Sequence, residues 1–193
     1  MAQKQGADIY FGDAAQIRSD HHAGRTWGQC GETPIVQATG ARLQGKSGLP
    51  ELLKCHVLIS AITSRGRMRF MIKQSGGVNA AVFIEFLTRL VAGAKRTIFL
   101  IVDRGPAHRA KNTTAFVEAL GGKLRLFFLP SYAPDRNPDE LAWNHLKSGT
   151  AGRMAVTGKG GFQRKVQSSM RQLQNDPGKF RSFYQKPSVK YAA

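Results

Sequence analysis

Acidic residues are scarce in this chain. Its 193 residues include 12 Asp and Glu against 29 Lys and Arg, which gives a formal net charge of +17. A field of that size attracts polyanions, and nucleic acid is the usual polyanionic partner of a protein. A ribosomal or membrane-surface site is the alternative that charge alone leaves open. Because carboxylates are so few, each one is a candidate for a specific role.

Long apolar runs and paired cysteines are also missing. No stretch approaches the roughly 18 apolar residues that a membrane span needs, and the first five residues lack the apolar character of a signal peptide. We therefore expect a cytoplasmic protein, associated with the nucleoid in a prokaryote. The two cysteines, Cys30 and Cys55, do not form a CxxC pair, so we expect two free thiols rather than a disulfide framework or a zinc site.

Apolar periodicity and turn residues predict alternating strands and helices in one domain over residues 1–193. The predicted strands are 9–11, 33–39, 56–62, 68–72, 97–102 and 124–129, and the predicted helices are 79–92, 108–120, 138–148 and 161–174. Residues 40–50 are predicted to form a loop, and residues 175–193 a basic tail with little periodicity. The order indicates an antiparallel meander followed by βαβ units, which gives an α/β fold with a mixed sheet flanked by helices.

Three carboxylates occupy positions that this arrangement could bring together. Asp13 and Asp103 each follow a predicted strand, and Glu140 lies near the start of the helix that follows strand 124–129. In open α/β sheets, sites gather at the carboxyl ends of the strands. Converging carboxylates repel one another unless a cation lies between them, and oxygen ligands of this kind suit Mg²⁺ or Mn²⁺. Two such ions, about 3.5–4 Å apart, activate the attacking oxygen and stabilise the leaving oxygen at a phosphodiester.

Each of these residues also has a structural interpretation. Asp13 and Asp103 are equally well explained as turn residues, because Asp is common after strands. Residues 137–140, Asn-Pro-Asp-Glu, form a near-ideal helix start with Asn at the N-cap, Pro at the first helical position and Glu at the third. On this local evidence alone, a capping role for Glu140 is favoured.

Several longer strings resemble bacterial insertion-sequence transposases of the mariner superfamily. The strings 9–13 (IYFGD), 24–27 (GRTW) and 31–34 (GETP) are spaced as in that family. The string 102–108 (VDRGPAH) resembles its second catalytic motif, and 129–143 (LPSYAPDRNPDELAW) resembles its third. The resemblance runs from about residue 9 through the tail.

The resemblance implies an RNase H-like fold and a catalytic, metal-binding triad of Asp13, Asp103 and Glu140. Positions 104–139 give 36 residues between the second and third acids, close to the spacing typical of the superfamily. It implies Mg²⁺ or Mn²⁺ as cofactor, with two ions, and selects Glu140 over Asp135 and Asp139. Two neighbours depart from the family pattern, where Glu often follows the first Asp and Asn the second. Here they are Ala14 and Arg104.

The implied function is metal-dependent cleavage of double-stranded DNA at transposon ends, followed by strand transfer into target DNA. Relatives carry an N-terminal helix-turn-helix region, whereas Asp13 here is a dozen residues from Met1. We therefore expect that region to be absent, as in a split, frameshifted or decayed gene. A separate helix-turn-helix chain and a second copy of this chain are candidate partners. The alternatives are a non-catalytic DNA-binding remnant and another RNase H-like nuclease.

Further residues are candidates for contacting DNA or supporting the triad. Residues 141–193 contain ten Lys and Arg and a single acid, Asp176, which favours a phosphate track over a merely solvated face. For His108, a capping or packing role is equally well supported, and for Trp27 core packing is favoured. The candidates are Trp27, Arg104, His108, Lys147, Arg164, Lys165 and Arg171.

Overall fold

A computed structural model describes residues 6–17, 30–31, 56–74, 77–131, 134–147 and 161–193 of the chain. The predicted strand 33–39, the loop 40–50, Trp27 and Cys55 lie outside these ranges, and Cys30 is an exposed free thiol. The elements are β1 (Asp8–Ile17), β2 (His56–Ile62), β3 (Met68–Gln74), α1 (Ala80–Val91), β4 (Ile98–Val102), α2 (Lys111–Ala119), β5 (Leu124–Phe128), α3 (Pro138–Leu146), α4 (Gly161–Gln174) and α5 (Pro177–Tyr184).

The five strands form one mixed sheet in the order β3-β2-β1-β4-β5. Strands β1, β2 and β3 pair antiparallel, whereas β4 pairs parallel with both β1 and β5. The predicted meander followed by βαβ units is therefore confirmed. Parallel neighbouring strands need a crossover connection, usually an α-helix, and α2 occupies that position between β4 and β5.

Strand β1 is longer than predicted, and this changes the position of Asp13. The sequence predicted that Asp13 follows the end of strand 9–11, but β1 continues to Ile17, so the prediction was wrong and Asp13 lies inside the strand. The reason is a change of partner. Asp8 to Phe11 pair with β4, whereas Phe11 to Ile17 pair with β2. The second half of β1 is thus held as a strand by β2 alone.

Helices cover both faces of the sheet, because side chains alternate between the faces along each strand. On one face, Tyr10, Ile59 and Leu100 pack with the apolar side of α1 and part of α2. On the other face, Phe11 and Leu58 pack with α3, α4 and α5. Among the residues that the structure describes, no helix combines the length and apolar character needed to cross a membrane.

The end of the chain is more ordered than its sequence indicated. The prediction that 175–193 has little periodicity was wrong. Asp176 caps α5 by accepting a hydrogen bond from the Lys179 backbone N–H at 2.9 Å. Phe180 and Tyr184 are buried in the core, and the Tyr184 hydroxyl donates to the Ile62 carbonyl at 3.2 Å. The tail is thus part of the layer that covers the face of the sheet on which α3 lies.

The hairpin turn between β2 and β3 contacts the start of α5. Gly66 has φ +84°, and a Cβ there would lie 2.7 Å from Pro177 Cβ. Only glycine combines that backbone conformation with so close a contact.

Candidate active site

The register of the sheet brings Asp13 beside Asp103. In the parallel ladder, Phe11 of β1 pairs with Ile101 of β4. Asp13 lies two residues beyond Phe11 in β1, and Asp103 lies two residues beyond Ile101. Since β4 ends at Val102, Asp103 is at the carboxyl end of β4, the edge where sites gather in α/β sheets.

Glu140 reaches the same place from the first turn of α3. Asn137 is the N-cap and its side chain accepts a hydrogen bond from the Asp139 backbone N–H at 3.1 Å, while Pro138 occupies the first turn. The cap is therefore supplied by Asn137. The Glu140 side chain lies close enough to Asp13 to interact with it by charge and by a side-chain hydrogen bond.

Two buried hydrogen bonds attach the start of α3 to the sheet. The Asn137 side-chain amide donates to the Gly12 carbonyl at 3.2 Å, and the Ser60 hydroxyl donates to Asp139 Oδ2 at 2.7 Å. Ser60 and Asp139 are both 0% exposed.

This attachment was not predicted from the sequence. Its signal was a single serine in the otherwise apolar strand His56–Ile62.

The electrostatics of Asp13 differ from those of an ordinary carboxylate. Burial, and then the negative charge of Glu140, raise the pKa of Asp13 from 3.8 to about 7; Asp103 adds a smaller increase. The Ala14 backbone N–H, at 2.8 Å from Asp13 Oδ1, opposes this shift. Each increase reflects the cost of a negative charge in a dry or already negative place. A cation bound between these groups would offset that cost.

The environment of Asp103 lowers its pKa, in contrast to that of Asp13. A hydrogen bond from His108 and another from the Gly105 backbone N–H lower the pKa of Asp103. His108 Nδ1 is 2.6 Å from Asp103 Oδ1, and the Gly105 nitrogen is 3.0 Å from the same oxygen. His108 is 5% exposed and its ring packs on Phe83, with centroids 4.3 Å apart.

The position of His108 also corrects the predicted start of helix 108–120. The helix begins at Lys111, and His108 lies in the turn before it.

The donor set fits a hard divalent cation, although it is not assembled as a ready cage. In the described part of the chain, no three His, Cys, Asp or Glu side chains are grouped closely enough to hold a metal ion. One oxygen of Asp103 is directed to His108 and Gly105. Asp13 and Glu140 interact directly, and the rise in the pKa of Asp13 marks a concentration of negative charge. Oxygen ligands with this excess charge suit Mg²⁺ or Mn²⁺.

The other sequence-predicted residues lie around this centre or apart from it. Arg104 is exposed and its Nε donates to the Leu129 carbonyl at 3.3 Å, which holds it at the end of β5. Lys147 is half-buried just after α3, and Trp143 is buried in the core. Arg164, Lys165 and Arg171 are exposed on α4.

Solved structures of Mos1 transposase resemble this fold. The mariner Mos1 paired end complex with Mg matches with a TM-score of 0.61 and 15% identity, covering 96% of this chain and 56% of that chain. The catalytic domain of Mos1 mariner transposase matches with a TM-score of 0.56 and 13% identity, covering 99% and 86%. At these identities the likeness shows a shared RNase H-like fold. The chain spans about half the length of the Mos1 chain in the complex.

Sequence comparison assigns the family. No curated protein matches the chain significantly. The family described as DDE superfamily endonuclease matches residues 8–157, which include Asp13, Asp103 and Glu140. Since this match covers well over half of the sequence, the chain belongs to the DDE superfamily of endonucleases.

Proposed function

We propose that this chain is the catalytic domain of a mariner-superfamily transposase of the bacterial insertion-sequence type. It would cleave a DNA phosphodiester at transposon ends and direct the freed 3′ oxygen to target DNA. The observation that carries this proposal is the approach of Asp13 and Glu140 beside Asp103 at the carboxyl end of β4, with the pKa of Asp13 raised to about 7.

Asp13, Asp103 and Glu140 are the proposed ligands of Mg²⁺ or Mn²⁺, with two ions in the complete site. When bound, such ions polarise the phosphodiester and lower the pKa of an attacking water. The protein's contribution is to hold the oxygens in place. His108 and the Gly105 N–H hold Asp103, while the Asn137 and Ser60 hydrogen bonds hold the helix turn that carries Glu140.

The proposed substrate is double-stranded DNA. The net charge of +17 provides the attraction. Arg104 and Lys147 lie at the ends of elements that flank the site, and Arg164, Lys165 and Arg171 extend along α4. Trp27 stays a candidate contact. Mos1 transposase has been solved in a paired-end complex with the left transposon end, which supports transposon ends as substrate. A separate helix-turn-helix chain and a second copy of this chain are the proposed partners.

One observation favours a second candidate, a DNA-binding remnant that no longer cuts. Asp103 Oδ1 is already engaged by His108 and Gly105, and the described carboxylates form no closed cluster. If that arrangement persisted in the presence of metal, the site would be incomplete.

Plasmid nicking in Mn²⁺ separates the two candidates. Wild-type protein should nick, whereas Asp13→Ala, Asp103→Ala and Glu140→Ala should each lose activity and keep the fold. Asp135→Ala is the matched control, since Asp135 is an exposed acid five residues before Glu140. Full activity in one triad variant would remove that residue from the site. A wild-type protein that binds DNA and Mn²⁺ but never nicks would favour the remnant.

A further inference from the structure

A groove lies at the opposite edge of the sheet from β5, where β3 is the edge strand. Its volume is about 410 Å³, and it is bounded by β3 residues 69–72, by α1 and by α4. The polar side chains that line it are Arg69, Arg89, Gln163, Gln167, Arg171 and Gln174. We propose that this groove binds the sugar-phosphate backbone of DNA, as a contact separate from the triad.

The charges in and around the groove favour an anionic ligand. None of its lining residues is acidic. The neighbouring Glu85 is already paired with Lys73 and with Arg89, whose Nη2 is 2.7 Å from Glu85 Oε1. Arg69 and Arg171 are exposed, and within the described ranges their guanidinium groups form no ion pair or hydrogen bond. Guanidinium groups without a protein partner are the donors best matched to phosphate oxygens.

The shape of the groove favours a chain of phosphates over a single anion. Gln163, Gln167 and Arg171 repeat every four residues, so they lie on one face of α4. The Gln174 amide already donates to the Met68 carbonyl at 2.8 Å, and from Gln163 to Arg171 the helix rises roughly 12 Å. Amide and guanidinium donors spread over that length suit a polymer backbone, which phosphate contacts position without reading sequence.

The sheet register relates the groove to the triad. Asp13 pairs with Ser60, and Ser60 pairs with Phe70 of β3. Two strand spacings therefore place Phe70 roughly 10 Å from Asp13. The triad and the groove are therefore close enough for one bound DNA molecule to contact both. The inference rests on the proposed function, since it takes DNA as the ligand.

The test compares duplex binding by wild type and two double variants in EDTA, where no cleavage occurs. Arg69→Ala/Arg171→Ala should weaken binding about tenfold and reduce the slope of log K against log salt by about 1.8, as expected for two lost phosphate contacts. Lys95→Ala/Lys123→Ala is the control, because it removes two exposed charges outside the groove and should leave the slope unchanged. Arg69→Lys/Arg171→Lys should keep most of the slope, which separates charge from packing.

The possible failures are distinguishable. If wild type binds DNA and both Arg69→Ala/Arg171→Ala and the control variant bind it with the wild-type affinity, the groove proposal is wrong and the triad proposal stands. If wild type binds no duplex at any salt concentration, the proposed function fails and the groove with it. If Arg69→Ala/Arg171→Ala loses binding to polyglutamate while keeping its affinity for DNA, the groove is a site for acidic peptides and the proposal is overturned. A photo-crosslinking residue at Gln167 should capture the duplex, and its failure to do so would contradict the proposal.

Discussion

At the scale of single residues, Asp13 and Asp103 lie close enough to interact by charge but have opposite electrostatics. Burial and Glu140 raise the pKa of Asp13, whereas His108 and Gly105 lower that of Asp103. Neighbouring groups whose pKa values are pushed apart are typical of functional sites. The arrangement keeps Asp103 ionised and concentrates negative charge around Asp13, which a bound cation would offset.

His108 should control the charge and position of Asp103. His108→Phe keeps a ring against Phe83 but removes the 2.6 Å hydrogen bond. We expect the pKa of Asp103 to rise toward its ordinary value, and Mn²⁺-dependent nicking to fall by at least tenfold. A carboxyl ¹³C titration and nicking rates measure the two effects. His108→Ala is the comparison, since it loses packing as well and should melt lower. An unchanged Asp103 titration in both variants would reduce His108 to a packing role.

The raised pKa of Asp13 predicts a pH-dependent stability in the absence of metal. The carboxyl titrates near 3.8 when unfolded and near 7 when folded. The folded state therefore binds more protons between these values, and stability falls as the pH rises from about 4 through 7. Asp139, whose pKa burial also raises, contributes with the same sign. Melting temperatures in EDTA should decline across this window, and Asp13→Asn should lessen the decline.

Metal binding should counteract this loss of stability at high pH. Millimolar Mn²⁺ should raise the melting temperature most at pH 8, because binding to the folded state stabilises it by mass action. Asp13→Asn/Asp103→Asn should lose this response. A wild-type melting temperature that changes with neither pH nor Mn²⁺ would show that these carboxylates do not form a metal site.

At the scale of elements, the position of α3 depends on hydrogen bonds that its own sequence does not reveal. Ser60→Ala removes the only hydroxyl donor recorded for Asp139 Oδ2 within the described residues. Leaving a buried carboxyl without that donor should cost about 1–3 kcal/mol of stability. Amide hydrogen exchange over residues 138–142 should become faster. Ser168→Ala, an exposed position on α4, is the control. Equal exchange in the two variants would mean that Ser60 does not hold the helix.

The elements also show what the sequence could and could not predict. Helix 79–92 and the hairpin were predicted closely, because their apolar residues recur at the helical and strand periods. The extension of β1 was missed, because Ala14, Ala15 and Gln16 carry no strand signal and are held by pairing with β2. Helix α5 was missed because its Lys and Arg residues gave the segment the composition of a basic tail. The signals for a helix were Asp176-Pro177 at the N-cap and the apolar residues Phe180 and Tyr184.

The triad positions followed from family motifs rather than from periodicity. The bond between Ser60 and Asp139 joins residues 79 apart in the chain, and no local pattern predicts such a contact. Likewise, the role of His108 depends on the turn at 106–109 that precedes α2.

At the scale of the whole molecule, the charge should dominate DNA binding. Phosphate contacts made by Lys and Arg release counterions but carry no sequence information. We therefore expect similar affinity for two unrelated duplexes and a steep loss of affinity with salt. α5 and the residues that follow it carry Lys179, Arg181, Lys186 and Lys190, of which all but Lys179 are exposed.

Replacing these four basic residues with alanine should reduce the salt slope by up to about 3.6, at roughly 0.9 for each phosphate contact, if the outer surface of this layer touches DNA. Their side chains lie outside the apolar contacts of Phe180 and Tyr184, so the variant should retain its melting temperature. Titrations of both duplexes at several salt concentrations provide the measurement. A tight, salt-insensitive preference for one duplex would contradict the prediction, because it would require base-reading contacts within these 193 residues.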